Sequence, residues 1–139
     1  MPAPLRLNAA GLDLTGREAD AASVTASPAL AAETIIATVT SDTDAAVLHG
    51  ALVIGYAAFT IGTSGTAYTL RIRETNVSGT IVKSTGTIAA TAADLVSATI
   101  VGVDTGATST GQVYVLTLEV TAGAAESTVS SVELVSLLI

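Results

Sequence analysis

From Thr34 onward, apolar and polar positions alternate with the period of two that marks strands with one buried face. The clearest case is the end of the chain, 112–139. Tyr114, Leu116, Leu118 and Val120 fall on one face, and Val115, Thr117, Glu119 and Thr121 on the other. Residues 122–126 (AGAAE) read as a turn. The second strand, 127–139, makes this stretch a hairpin. Its apolar positions run to Leu137, Leu138 and Ile139. Chain ends fray unless tied down, so three consecutive aliphatics predict an end docked in a sheet or against a neighbour.

Upstream, Thr34 to Thr40 is rich in β-branched residues and reads as a strand. Ser41-Asp42-Thr43-Asp44 is a turn. Residues 47–61 are apolar on both faces. Their β-branched content and two glycines favour a strand over a helix, with Gly50 and Gly55 at bulges or bends. Between 67 and 75, Tyr68, Leu70 and Ile72 point inward, and Thr69, Arg71 and Arg73 outward. A turn at 76–79 leads to a strand at 80–84 and another at 87–90. Residues 92–95 read as one helical turn, 99–103 as a strand and 104–111 as a loop. About eight strands with short loops predict an antiparallel sandwich or barrel. Gly65-x-x-Tyr68-x-Leu70-x-Ile72 matches Gly111-x-x-Tyr114-x-Leu116-x-Leu118, which predicts two equivalent strands, each closing a loop at the same end.

Residues 1–32 break the pattern. Pro2, Pro4 and Pro28 all lie here, and the alternation of Leu5, Leu7, Leu12 and Leu14 is interrupted by Gly11. The stretch reads as an extended N-terminal arm that contacts a partner more than its own core, with one or two short strands allowed. Ser27-Pro28-Ala29-Leu30 carries the N-cap and first-turn proline of a single helical turn. Residues 33–139 then form the single sandwich domain.

Composition changes the picture in one respect. Charged residues are 12% of the chain, against about 25% in ordinary globular proteins. The apolar run from Val47 to Gly62, interrupted by His49, is too short for a membrane span. The start, Met1-Pro2-Ala3-Pro4-Leu5-Arg6, lacks an apolar signal core. Expected partners therefore include neither membrane nor nucleic acid, the latter because net charge is −7 with five basic residues. So few charges without a membrane span predict surface hidden by self-association, as a homo-oligomer and most simply a trimer.

Candidate chemistry is sparse. There is no cysteine, and a single histidine, His49, cannot build a His/Cys zinc site. Asp42 and Asp44 have the spacing of calcium loops, but the further acidic ligand, the glycine and the closing glutamate are missing, so both are read as turn formers. Asn76-Val77-Ser78 is a sequon in a turn, relevant only to a secreted eukaryotic chain. No phosphate loop or nucleophile elbow is present. The expectation is a protein that is not an enzyme and needs no cofactor or metal. Arg71 and Arg73 share a strand face, and with Lys83 they put three of the five basic residues in one hairpin. They are assigned to subunit or partner contacts together with Leu137, Leu138 and Ile139. The competing assignment is a solvated face paired with Glu119 or another acid.

The body resembles the compact jelly-roll decoration (cement) proteins that stud tailed-phage capsids as trimers. The residues that carry the resemblance are the Thr/Val/Ala/Gly-rich strands, such as Gly111-Gln-Val-Tyr-Val-Leu-Thr-Leu-Glu-Val120, and the apolar last strand. It implies an antiparallel, jelly-roll-like β-sandwich with an extended N-terminal arm, a place in the virion, and the major capsid protein or another virion component as partner. The alternative is a trimeric binding module, either the receptor- or glycan-binding head of a tail fibre or a TNF-like trimer. That alternative requires an exposed aromatic or polar pocket, and Tyr56 or Phe59 facing solvent in a groove would favour it.

Overall fold

The computed structural model describes residues 17–18, 28–41, 50–106, 111–122 and 127–138. Its elements in chain order are β1 (Arg17–Glu18), a 3-10 turn (Pro28–Ala31), β2 (Thr34–Thr40), β3 (Ala51–Thr60), β4 (Ala67–Glu74), β5 (Ile81–Ser84), β6 (Ile88–Ala89), β7 (Leu95–Asp104), β8 (Val113–Thr121) and β9 (Thr128–Leu138). One sheet runs β1-β9-β3-β7. The other runs β2-β8-β4-β5, with β6 also pairing β4.

Every strand pairing is antiparallel. The first half of the chain pairs with the second in reverse order: β1 with β9, β2 with β8, β3 with β7 and β4 with β5. The chain thus folds back as one long double ribbon. Successive strand pairs alternate between the two sheets, which is the jelly-roll winding. The antiparallel β-sandwich read from strand spacing is the observed architecture.

The core lies between the inner faces. β3 shows why period-two patterning builds it: Ala51, Val53, Gly55, Ala57 and Phe59 are buried, and the intervening residues are half-buried. Leu70 and Ile72 of β4, Tyr114, Leu116 and Leu118 of β8, and Val132 and Leu134 of β9 meet them. Phe59 and Tyr68 stack edge to face at 5.1 Å. Leu30, from the 3-10 turn that the Ser27-Pro28 signal predicts, is also in this core.

Four local expectations are corrected. The segment 112–139 is not a hairpin, because β8 and β9 belong to different sheets. Each finds its partner elsewhere, β9 along all of β3 and β8 along all of β4. β4 and β8, the matched Gly-x-x-Tyr strands, are antiparallel neighbours, with Glu74 opposite Tyr114 and Tyr68 opposite Val120. Their tyrosines therefore enter the core from opposite ends. Residues 92–95 are not a helical turn: Ala93 has φ of 65° and Leu95 already begins β7. β7 extends to ten residues because it pairs with β3 along its full length. Gly55 is no bulge. It sits in unbroken register, and a Cβ there would lie 2.8 Å from Leu116 Cδ1, so the glycine admits a side chain of the facing sheet. Gly50 lies just before β3 with φ of 140°, and a Cβ there would lie 2.3 Å from the Asp104 carbonyl oxygen, so only glycine fits.

Candidate functional site

The chemistry-bearing residues gather on the outer face of the β2-β8-β4-β5 sheet. Cross-strand register puts Ile35, Thr117 and Arg71 in one row, and Thr38, Val115 and Arg73 in the next. Glu33, just before β2, reaches over this face. Arg73 grips its carboxylate as a fork, through Nε to Oε2 and through Nη2 to Oε1 at 2.9 Å. Arg71 donates to Oε1 at 2.8 Å and Thr117 to Oε2 at 2.8 Å. Arg71 also reaches Glu119 Oε1 at 3.4 Å, and Arg73 donates to the Gly79 carbonyl at 2.8 Å.

Two arginines thus face two glutamates, with no net charge among the four. Burial alone would push the Glu33 carboxyl up. The bonds from Arg73 and Thr117 and the charges of both arginines outweigh it and hold the carboxyl below its ordinary 4.5. The same bond pushes Arg73 further up against its own desolvation. Chemically the cluster is a closed ion network. Both arginines have their charge answered within the chain, and Glu33 fastens the segment before β2 to the middle of the sheet. Glu119 is the partner named by the competing solvated-face assignment, whereas Glu33 is not legible in the sequence, because no periodicity relates residue 33 to residues 71 and 73.

The other sheet presents a contrasting outer face. The register aligns Leu137, Leu52 and Val103 in one row and Val135, Ile54 and Val101 in the next. Glu133, Tyr56 and Thr99 follow, then Ser131, Ala58 and Ser97, then Thr60 beside Leu95. In these rows Glu133 is the one charged residue. Exposure rises toward β7, where Val101 is 49%, Val103 50% and Leu95 71% exposed, whereas Leu137 is buried. The apolar character of the last strand is therefore used inside the chain at Leu134 and on this face at Leu137. The Leu138 side chain and Ile139 lie outside the described residues, as do Asp42, Asp44 and His49.

A third polar feature sits inside the sandwich. The Tyr114 hydroxyl donates to Asp104 Oδ2 at 2.8 Å, tying β8 to the end of β7. Burial first, then the bond and the charge of Asp104, with a contribution from Glu74, push this phenol well above its ordinary 10.0. No group of His, Asp and Glu that could hold a metal ion occurs among the described residues. No helix among them is long and apolar enough to cross a membrane.

No family model matches the chain, and no curated protein matches it. Solved structures do. The sugar-binding C-terminal domain of EclA is 12% identical with a TM-score of 0.47, over 88% of this chain and 81% of that one. The infectious bursal disease virus Gx strain structure is 17% identical with a TM-score of 0.48, over 86% of this chain and 30% of that one. A family 16 carbohydrate-binding module is 14% identical with a TM-score of 0.41, over 81% of this chain and 74% of that one.

Proposed function

We propose that the chain is a viral structural protein, a decoration (cement) protein that self-assembles as a trimer on a tailed-phage capsid and stabilises the shell. The fold alone admits several functions. What separates them is the surface. The observation that carries this reading is the outer face of strands β9, β3 and β7, where the five register rows across these three strands hold one charged residue, Glu133, with Arg17 of β1 opposite Val135 at the margin. A face so poor in charge favours burial against protein. The partners in this reading are other copies of the chain and the major capsid protein or another virion component, and the location is the virion. Catalysis, nucleic acid and membrane have no part in it.

The trimeric binding module, whether a tail-fibre head or a TNF-like assembly, asks for an exposed aromatic or polar pocket. Phe59 is sealed in the core against Tyr68, and Tyr56 is half-buried between Thr99 and Glu133. This supports the structural reading over the binding one. The test is sedimentation of the purified chain with empty shells assembled from the capsid protein encoded beside its gene. Saturable co-sedimentation with a slower loss of shells on heating is expected. A chain that stays in the supernatant at every ratio overturns the assignment.

A further inference from the structure

We propose that residues 13–16 of this chain dock on the free edge of β9 as a continuation of β1, pairing with residues 136–139, so that the arm left to contact a partner is residues 1–10. The proposal goes beyond the capsid reading and does not depend on it.

The edge comes first. Among the described residues β1 meets β9 at two positions, Arg17 opposite Val135 and Glu18 opposite Leu134. β9 runs on to Leu138 with β3 along its other side. Backbone donors and acceptors on the open side of such a strand call for a partner. Burial points the same way. Val135, beside Arg17, is half-buried, whereas Leu137 is buried although it lies on the outer face beyond the last described β1 pair. Across its row the cover is lost step by step, with Leu52 half-buried and Val103 50% exposed. What covers Leu137 therefore lies on the β9 side of the sheet, where β1 is.

Register selects the occupant. Carried back along the chain, the β1 pairing sets Gly16 opposite Ser136, Thr15 opposite Leu137, Leu14 opposite Leu138 and Asp13 opposite Ile139. Leu134 belongs to the core, so the residues in step with Glu18 are the inward set. Leu14, with Leu12 just past the end of β9, then falls on the inner face, and Asp13 and Thr15 on the outer. A slip of one residue would turn Asp13 and Thr15 inward instead. Gly16 has no side chain to place opposite Ser136, which is fully buried. Gly11 ends the alternation, and four residues at about 3.3 Å each reach the end of β9. A strand from another protein would have to be captured from solution. Residues 13–16 are tethered beside the edge by β1, which makes their docking intramolecular.

The chain has no cysteine, so engineered pairs read the contact directly. Directly opposite residues of an antiparallel pair have α-carbons about 4.5–5.5 Å apart, within disulfide reach. The test oxidises the full-length Thr15→Cys/Leu137→Cys variant and an Ala10→Cys/Leu137→Cys control, followed on non-reducing gels and by thermal melts. Residue 10 lies about 16 Å further along an extended chain. Expected is an intrachain disulfide in the first variant alone, with a Tm several degrees above its reduced form because a long loop is closed. Separately, Leu14→Asp should lower Tm by several degrees and Leu7→Asp should not. Equal linkage in both cysteine variants overturns the proposal, since it means an arm without register. No linkage in either, or a Leu14→Asp protein as stable as wild type, also overturns it and gives the cover of Leu137 to another segment. Linkage between two chains overturns the choice of occupant, because the strand would then come from a neighbouring copy.

Discussion

Replacing Glu33 with alanine tests the ion network most directly. The substitution removes the acceptor of four hydrogen bonds, two from Arg73 and one each from Arg71 and Thr117. Arg73 is left with the Gly79 carbonyl, and Arg71 with Glu119 at 3.4 Å. Breaking a fully buried pair by deleting one member costs about 3–5 kcal/mol, because the remaining charge is stranded. The side chains here keep 14–19% of their exposure, so water recovers part of that. A loss of about 2–3 kcal/mol is expected, of the size assigned to hydrogen bonds with charged groups. For a domain of 139 residues this lowers Tm by roughly 6–12 °C. Glu119→Ala is the internal comparison. Its contact is long and its side chain is 36% exposed, so it should cost no more than about 0.5 kcal/mol.

Urea melts of wild type, Glu33→Ala, Glu33→Gln and Glu119→Ala supply the numbers. The pH dependence gives an independent check. The folded-state value of Glu33 lies below its ordinary 4.5. Its contribution is therefore complete above 4.5 and disappears as pH falls through the lower folded-state value. The gap between wild type and Glu33→Gln should be constant near neutrality and close in acid. If Glu33→Ala costs no more than Glu119→Ala, or if the gap persists unchanged in acid, the network does not hold the segment before β2 as described.

Leu118→Ala and Leu134→Ala each remove a fully buried side chain from facing sheets, and each should cost about 2–5 kcal/mol in urea melts. A loss below about 0.5 kcal/mol at either would contradict its place in the core. Tyr114→Phe deletes the bond to Asp104 and should cost about 1–2 kcal/mol at neutral pH. Because the Tyr114 phenol is raised above 10.0 in the fold, its contribution is complete below that value and is lost as pH rises beyond it. The difference between wild type and Tyr114→Phe should therefore shrink in alkali. A difference that does not change between pH 7 and alkaline unfolding would refute the assignment.

The chain by itself determined that this is a β-protein and which residues face inward. Period-two alternation is a local signal, and at Tyr68, Leu70, Ile72, Tyr114, Leu116 and Leu118 it reads correctly because each strand has one face toward the core. The 3-10 turn was legible from Ser27-Pro28 for the same reason, since capping is decided within a few residues. Pairing is a different kind of fact. Nothing local says that β8 and β9, consecutive in the chain, belong to opposite sheets, or that Gly55 is there to admit Leu116. Both follow from contacts between residues some sixty to eighty positions apart, as in the pairing of Gly55 with Leu134, and loop closure costs too little with length for proximity in sequence to decide them. The site follows the same division. The shared face of Arg71 and Arg73 is written in their spacing. That Glu33 meets them there, and that Leu52, Val101 and Val135 gather on one face of the other sheet, is decided by the winding of the two sheets.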